Sequence, residues 1–334
     1  MSMFSVPVVR VGPYIKHENA DSLSITQVMG CPVIFKTGTY NEGDLAIYVP
    51  VDSIVDTTVP ELAFLQTSDK TRVRIKAKKL RGVFSMGLLI PAPAGATEGQ
   101  DYAELLRIEK YEEPIPTRMS GECVKGPDGI HVPVYDLESL RTFYSLFIEG
   151  EEVVITEKIH GSNARFLVSE SGDLYVGSRT QFKQVDGTTI WSRVARDYEL
   201  AAKLQGTQGY VFYGEVFGNG VQDLTYGCKN GELKLQFFDI FDSRRGVFLS
   251  HDNMLEILNR AGLESAPVLY RGILDRNHIE TLAEQDSVYG GIREGVVVRS
   301  VVERLSEHKG SMMRTVLKFV SQRYLLRKDG TEFH

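Results

Sequence analysis

The stretch EEPIPTRMSGECVKGPDGIHVP, residues 112–133, most limits what this chain can fold into. It holds Pro114, Pro116, Pro127 and Pro133 with Gly121, Gly126 and Gly129, and it carries no periodic apolar pattern. Such a run separates folded regions. At 334 residues the chain is longer than one hydrophobic core usually serves, so two domains are expected. Their boundaries read as 1–115 for the first, 116–133 for the linker and 134–334 for the second.

Before the linker the chain is a series of short strand-like pieces: VPVVRVGPYI, SITQVMG, CPVIFKTG, LAIYVPV, TRVRIKAKKL and SMGLLIP. Gly, Pro, Asn and Asp separate them. Several short strands within about a hundred residues predict a small β-barrel. After the linker, strands and helices mix. Helices are expected over 136–147, 191–206 and 250–262, the last with Ser250 as N-cap and Gly262 as its stop. The strands between them are not joined by regular crossover helices. The expected class is therefore α+β with antiparallel sheets and flanking helices, not a doubly wound fold.

Composition excludes several functions. Hydrophobic residues at 42% and charged residues at 25% are ordinary for a globular chain, and no apolar run is long enough to span a bilayer. The N-terminus MSMFSVPVVRVG lacks the layout of a signal peptide. Cys31, Cys123 and Cys228 lie far apart and form no CxxC pair, which points to reduced thiols and a cytoplasmic location. The seven histidines form no zinc pattern, no GxxxxGK[ST] loop occurs, and no GxSxG elbow occurs. The net charge of −6 disfavours non-specific nucleic-acid binding by the whole surface, but not by a local face. KTRVRIKAKKLR, residues 70–81, has seven basic residues and no acidic one. As one strand it would turn Arg72, Arg74, Lys76 and Lys78 to a common face suited to tracking phosphates. A solvated or edge strand that blocks aggregation is the plainer reading, but four cations on one face with no acidic neighbour exceed what it needs, so nucleic-acid binding is placed ahead of it.

TEKIHGSN, residues 156–163, puts Lys158 at the end of a strand and the start of a turn. A lysine amine is a nucleophile only when neutral, and a free lysine titrates near pH 10.4. Neighbouring cations, a metal ion or burial would lower that value. The later strands supply polar groups within apolar runs, where a charge is costly unless paired or bound. These are Arg179 in SRT, Glu215 in YGEVFG, Phe238 and Asp239 in FFDIFD, Glu294 and Arg299 in REGVVVRS, and Lys318 in VLKFVS. Singly, each reads equally well as a strand-end salt bridge or a solvated edge.

In order and spacing, KIHG, SRT, YGEVFG, FFDIFD, EGVVVR and LKFVS resemble motifs I, Ia, III, IIIa, IV and V of the covalent nucleotidyltransferases, the polynucleotide ligases and mRNA capping enzymes. Lys-x-His-Gly with Asn163 five residues after the lysine is similar to the RNA ligases. HENADSLSI, residues 17–25, resembles the opening of tRNA-binding OB domains. The resemblance implies an N-terminal OB-type barrel followed by an ATP-grasp-like nucleotidyltransferase domain. It implies an ATP-dependent RNA ligase that uses Mg²⁺ or Mn²⁺, with Lys158 as adenylylated nucleophile and Glu157 beside the adenine. Asn163 and Arg179 would face the ribose and phosphates, and Phe238 would stack on the base. Glu215, Asp239 and Glu294 would surround metal and ribose, with Glu215 and Glu294 as metal ligands. Lys318 would contact the α-phosphate, and Arg299 would join the nucleotide site. The substrate implied is RNA, as nicked duplex or a folded strand, with separate enzymes to heal its ends, and the protein would act as a monomer. One departure stands out: a second lysine usual in motif V is Val320 here, so its role would pass to Arg314, Arg323 or Lys309, or be lost. A DNA ligase, a GTP-using capping enzyme and a non-catalytic OB-domain RNA-binding protein are the alternative readings.

Overall fold

The structure is a computed structural model that describes residues 4–66, 69–112 and 121–332. Pro114 and Pro116 of the expected linker lie outside the described residues. The chain divides into two compact units, Ser2–Glu113 with Gln322–His334, and Pro114–Ser321.

The first unit is built of short strands, as its turn-rich sequence predicts. They are β1 (Val8–Arg10), β2 (Tyr14–Lys16), β3 (Leu23–Val28), β4 (Cys31–Lys36), β5 (Leu45–Val49), β6 (Ser53–Asp56), β7 (Arg72–Arg74), β8 (Lys78–Leu80), β9 (Val83–Ser85), β10 (Leu88–Pro91) and β11 (Glu109–Lys110). They pair antiparallel as β1-β5-β10, β2-β3-β4, β11-β6-β7 and the hairpin β8-β9. Alternate residues point inward to a core that includes Val8, Ile47, Val49, Val55, Leu62 and Ile90.

The basic run is not one strand. It breaks between β7 and β8, and its four expected cations do not share an open face. Arg72 pairs with Glu109 at 2.5 Å. Arg74 is largely buried: it lies over the Tyr111 ring at 3.7 Å and donates to Asp52 Oδ1 through Nε at 2.8 Å. Lys76 donates to the carbonyl of Lys328. Of the four, Lys78 alone lies on the exposed hairpin. That hairpin turns at Arg81 (φ 49°) and Gly82 (φ 92°), both left-handed, the geometry a two-residue loop needs. His17 Nε2 lies 2.9 Å from the Leu80 carbonyl, and Asn19 Nδ2 donates to the Arg81 carbonyl. The HENAD segment thus fixes the tip that carries Lys78, Lys79 and Arg81.

The C-terminal residues expected in the second domain pack with the first unit instead. The reason is Asp52. Its buried carboxylate accepts from Arg74, from Thr331 Oγ1 at 2.8 Å and from the Glu332 amide at 2.7 Å, while Arg74 also donates to the Gly330 carbonyl.

The second unit contains β12 (Cys123–Val124), β13 (Glu138–Ser139), α1 (Leu140–Phe143), β14 (Glu152–Lys158), β15 (Ser162–Val168), β16 (Leu174–Gly177), β17 (Phe182–Lys183), α2 (Ile190–Asp197), α3 (Leu200–Lys203), β18 (Tyr210–Gly218), β19 (Leu233–Asp242), β20 (Val247–Phe248), α4 (His251–Arg260), β21 (Val268–Ile273), α5 (Arg276–Ala283), β22 (Gly295–Ser300), β23 (Leu305–His308), β24 (Ser311–Arg314) and β25 (Val316–Val320). Two sheets dominate, β12-β17-β16-β15-β18-β19-β20 and β13-β25-β22-β14-β21. The first buries Ala164, Phe166, Phe212, Leu235 and Phe237 with Trp191, Val194, Met254 and Leu258 of α2 and α4. The second buries Val153, Ile155, Val296, Val298, Leu317 and Phe319 with α1 and α5.

Helix outcomes follow local chemistry. Ser250 caps α4 by accepting from the Asn253 amide, and Gly262 follows its end at φ 62°. The helix expected over 191–206 is split at Glu199, whose φ is 55°. The one expected over 136–147 shortens to α1 and a 3-10 turn. α5 was not foreseen, although Asp275 caps it in the ordinary way. The described half of the expected linker, 121–133, is not a free connection. Cys123–Val124 pairs with β17, and the Pro133 carbonyl accepts from the Tyr213 hydroxyl at 2.7 Å. Prolines and glycines prevent a helix there, yet permit extended chain to lie on a sheet.

Two stability predictions follow. Asp52→Asn leaves Arg74 buried without its counter-charge, so chemical denaturation of the variant should show a loss of about 3–5 kcal/mol. His251 is buried at the start of α4, and neither ring nitrogen has a hydrogen-bond partner. Burial, reinforced by Arg299 and opposed by Asp252, pushes its pKa down to about 4. Between about pH 6.5 and 4 the unfolded chain therefore binds a proton that the folded chain refuses, so stability falls as pH drops through that window. The loss is on the order of 3 kcal/mol, and unfolding curves at pH 7 and 4.5 should show it shrinking in His251→Leu.

Candidate active site

With their core faces fixed by the helices, the two large sheets turn their alternate residues toward each other. On the five-stranded sheet Lys158 lies opposite Gly295, which lies opposite Val320. The next row is Thr156, Val297 and Lys318, and then Val154, Arg299 and Val316. On the seven-stranded sheet Asn163 lies opposite Glu215, and Arg165 opposite Tyr213. Strand register thus sets Lys158 and Lys318 on one face of the five-stranded sheet, with Glu294 just before β22, and places Asn163 opposite Glu215 on the seven-stranded sheet.

The tightest contact there is Lys158 Nζ to Glu294 Oε1, at 2.6 Å, with the lysine side chain 12% exposed and the glutamate fully buried. His160 is buried beside them. Its Nε2 lies 3.0 Å from Asp223 Oδ1, its Nδ1 lies 3.8 Å from Glu294 Oε2, and its backbone amide donates to the Tyr226 hydroxyl at 2.7 Å. Burial first, and then Glu294, push the Tyr226 hydroxyl pKa up, so it stays protonated. Gly161 explains the rest of the KIHG turn. A Cβ there would sit 2.3 Å from the Val216 carbonyl and 3.0 Å from Glu215 Cγ. Only glycine lets the turn after the lysine lie against the strand that carries Glu215.

Lys318 is buried on β25, two strands from Lys158 and on the same face. Asn163 Oδ1 is buried and without a hydrogen-bond partner, an acceptor still to be satisfied. Phe238 is the extra residue where the β18–β19 register shifts, so Phe238 and Asp239 both turn inward. Phe238 is half-buried and packs on Tyr135 at 4.8 Å.

Four expected residues, Asp239, Arg299, Glu157 and Arg179, are placed otherwise. Asp239 does not stand with Glu215 and Glu294. It accepts from Tyr135 at 2.9 Å and from Arg299 at 3.2 Å, and Arg314 lies at 2.9 Å. Burial alone would raise its pKa, but Arg299, Arg314 and Tyr135 together hold it below the ordinary aspartate value. Arg299 is thereby committed as well, and Arg314, also paired with Glu303 at 2.7 Å, is not an open cation that could replace the missing lysine. Glu157 points to the opposite face from Lys158, as neighbours on a strand must. Its buried carboxylate accepts from Ser287 Oγ at 2.5 Å, the Val288 amide at 3.0 Å and Arg293 Nε at 3.3 Å. Arg179 is exposed in the turn between β16 and β17.

Asp223, Tyr226, Tyr135 and Arg293 were not singled out from sequence. Each acts by folding back onto a motif from a loop, and its own neighbours form no pattern. The buried Val320 is explained by packing: a Cβ on Gly295 opposite it would lie 2.2 Å from the Phe319 carbonyl, so β22 and β25 are in close contact where a second lysine would begin.

Against known proteins, a model of the RNA ligase family matches residues 151–320, just over half the chain, and an OB-fold domain model matches residues 6–92. No curated protein matches. Among solved structures, a variant of Naegleria gruberi RNA ligase with ATP and Mn is 22% identical with a TM-score of 0.82, over 96% of this chain and 98% of that one. The same ligase with PPi gives a TM-score of 0.80 at 22% identity over 97% and 98%, and a variant with AMP and Mn gives 0.79 at 22% over 96% and 97%. At that identity the likeness establishes the fold, an OB-type barrel and a ligase-type α+β domain. The family model covers every motif strand from β14 to β25, and on that ground the chain belongs to the RNA ligase family.

Proposed function

We propose that this chain is an ATP-dependent RNA ligase that joins a 3′-hydroxyl to a 5′-phosphate through AMP carried on Lys158. The observation that carries the reading is the Lys158–Glu294 contact of 2.6 Å at a strand end, with His160 and the Glu215 strand beside it. A buried ammonium with one carboxylate partner is a nucleophile held in place but masked by its proton. Once that proton leaves, the Nζ lone pair attacks the α-phosphorus of ATP, an N–P bond forms, and the α–β P–O bond breaks to release pyrophosphate. AMP then passes to the 5′-phosphate of the RNA. Attack by the 3′-hydroxyl on that activated phosphate closes the strand and releases AMP. That the similar Naegleria ligase has been solved with ATP, AMP and PPi supports this order of events.

Each side chain has a part in this reading. Glu294 orients the amine, and His160, held by Asp223 and Tyr226, borders it. Lys318 adds positive charge on the α-phosphate side. Asn163 offers its unsatisfied oxygen to the nucleotide, Phe238 its ring face to the base, and Arg179 its charge at the rim. Among the described residues no group of three or more His, Cys, Asp or Glu could hold a metal by itself. Glu215 and Glu294 suit Mg²⁺ or Mn²⁺ of the kind completed by phosphate oxygens and water. Such an ion neutralises phosphate charge during transfer. The exposed hairpin of the first unit, with Lys78, Lys79 and Arg81, is the part of the basic run suited to RNA phosphates. Nicked or folded RNA fits shape reading through the backbone. A monomer working in the cytoplasm with ends prepared by separate enzymes completes the proposal. No described helix is long and apolar enough to cross a membrane.

Intact mass after incubation with ATP and Mg²⁺ or Mn²⁺ tests the reading. The wild type should gain one AMP, Lys158→Ala none, and GTP should give no adduct. Glu294→Gln should slow adduct formation by about 10²-fold or more. No adduct in any condition, even after pyrophosphate treatment to strip a preloaded AMP, would favour an RNA-binding protein that has lost catalysis. A DNA nick sealed in preference to an RNA nick would move the assignment to DNA ligase.

A further inference from the structure

Arg165 has no part in the mechanism above, yet its surroundings are unusual. It lies on β15 two residues beyond Asn163, so the two side chains share the inner face while Ala164 and Phe166 enter the core. It is 4% exposed. Its guanidinium lies 4.3 Å from the centre of the Phe182 ring, and its buried Nε has no hydrogen-bond partner. Three other arginines of the same unit have carboxylates: Arg293 has Glu157, Arg299 has Asp239, and the part-buried Arg314 has Glu303 and Asp239; the buried Arg141, stacked on Phe319, donates to the Val320 carbonyl. Arg165 makes no ion pair with any described residue. Burial pulls its pKa below the ordinary arginine value, opposed by Tyr213.

An isolated cation in a protein interior is expensive, and a fold keeps one only where a counter-charge arrives. The local backbone is built around it. Opposite Arg165 on β16 is Gly177, where a Cβ would lie 2.5 Å from the Gln181 carbonyl and 3.0 Å from Phe182 Cα. The turn after Gly177 therefore folds back onto the sheet and brings the Phe182 ring under the guanidinium. That same turn carries Arg179. Because β15 and β16 are antiparallel, it leaves the sheet on the side of Asn163 and the Lys158 turn. A stacked guanidinium with an unpartnered Nε–H suits a phosphate better than a lysine would.

We infer that Arg165 is a phosphate anchor: its guanidinium, stacked on Phe182 and lacking a carboxylate, binds a substrate phosphate beside Asn163. The inference rests on the ligase reading for the identity of the substrate. The phosphate comes either from the triphosphate of the nucleotide or from the RNA strand.

The test uses the full chain with Arg165→Met and Arg165→Lys, and with two probes in the presence of Mg²⁺: inorganic pyrophosphate, and a 5′-phosphorylated RNA oligonucleotide without ATP. Thermal unfolding is followed against probe concentration. The wild type should be stabilised by at least one probe. Arg165→Met should unfold no earlier than wild type without a probe, since it removes an uncompensated charge, and its apparent affinity should fall by about tenfold or more. Loss confined to pyrophosphate assigns the anchor to the nucleotide; loss confined to the oligonucleotide assigns it to the strand. If Arg165→Met does not fold, Arg165→Lys decides, because it keeps the charge and loses the planar fork. An anchor then predicts a normal unfolding midpoint with a weakened probe response. Wild-type probe affinity in the variants, or no response of the wild type to either probe, overturns the inference and leaves Arg165 a packing residue of Phe182. Failure of the ligase reading is separate: it shows as no AMP adduct on the wild type, and an Arg165-dependent probe response would survive it.

Discussion

An ammonium 2.6 Å from a fully buried carboxylate sets the terms for the second unit. Removing two charges from water costs several kcal/mol for each ion, and their attraction recovers that only when the geometry is held. Here the fold holds it from three sides. Lys158 ends β14, Glu294 immediately precedes β22, and the two strands are in register at Lys158 and Gly295. Gly161 brings the following turn onto β18, and Tyr226 fixes the amide of His160. A slip of one residue between β14 and β22 would turn Lys158 into the core and destroy the pair. The two hydrophobic cores behind the sheets therefore define the register that the site needs.

Charge balance separates what is structural from what awaits a ligand. Asp239, Arg299, Arg314, Glu303 and Tyr135 form a closed network that joins β19, β22 and β24. Each charged member is paired with one of opposite sign, which ties the sheets together, although Arg299 Nε is buried without a hydrogen-bond partner. Glu157 is closed in the same way by the 287–293 loop. Asn163 Oδ1 and Arg165 Nε are not satisfied, and both lie on the inner face of β15. A buried polar atom without a partner costs about 1–3 kcal/mol. One strand retaining two such atoms near the nucleophile marks where the binding free energy of a substrate would be recovered.

The sequence made legible those features that depend on neighbours along the chain. Alternation gave the strands, the Ser250 and Gly262 signals gave α4, and motif order and spacing gave the ligase resemblance that singles out Lys158, Glu215, Glu294 and Lys318 as candidates. It could not separate Glu157 from Lys158 in role, because only the fold decides which face of β14 meets the other sheet. It misjudged Arg72, Arg74 and Lys76, since their partners Glu109, Asp52 and the Lys328 carbonyl lie far along the chain. Local charge density revealed the basic run. Distant acidic and carbonyl oxygens, invisible to any local pattern, decide how much of it stays open.

The same reasoning explains why Val320 need not mark a dead enzyme. The row that would hold a second lysine is where β22 and β25 come closest, and glycine is required at 295 for them to do so. A lysine at 320 would begin in a fully buried position on the row of Lys158, two strands away across Gly295, adding a like charge to that face. On the phosphate-anchor inference, positive charge at Arg165 and Arg179 would reach the phosphates from the seven-stranded sheet, so a lysine at 320 is not required for phosphate to be held.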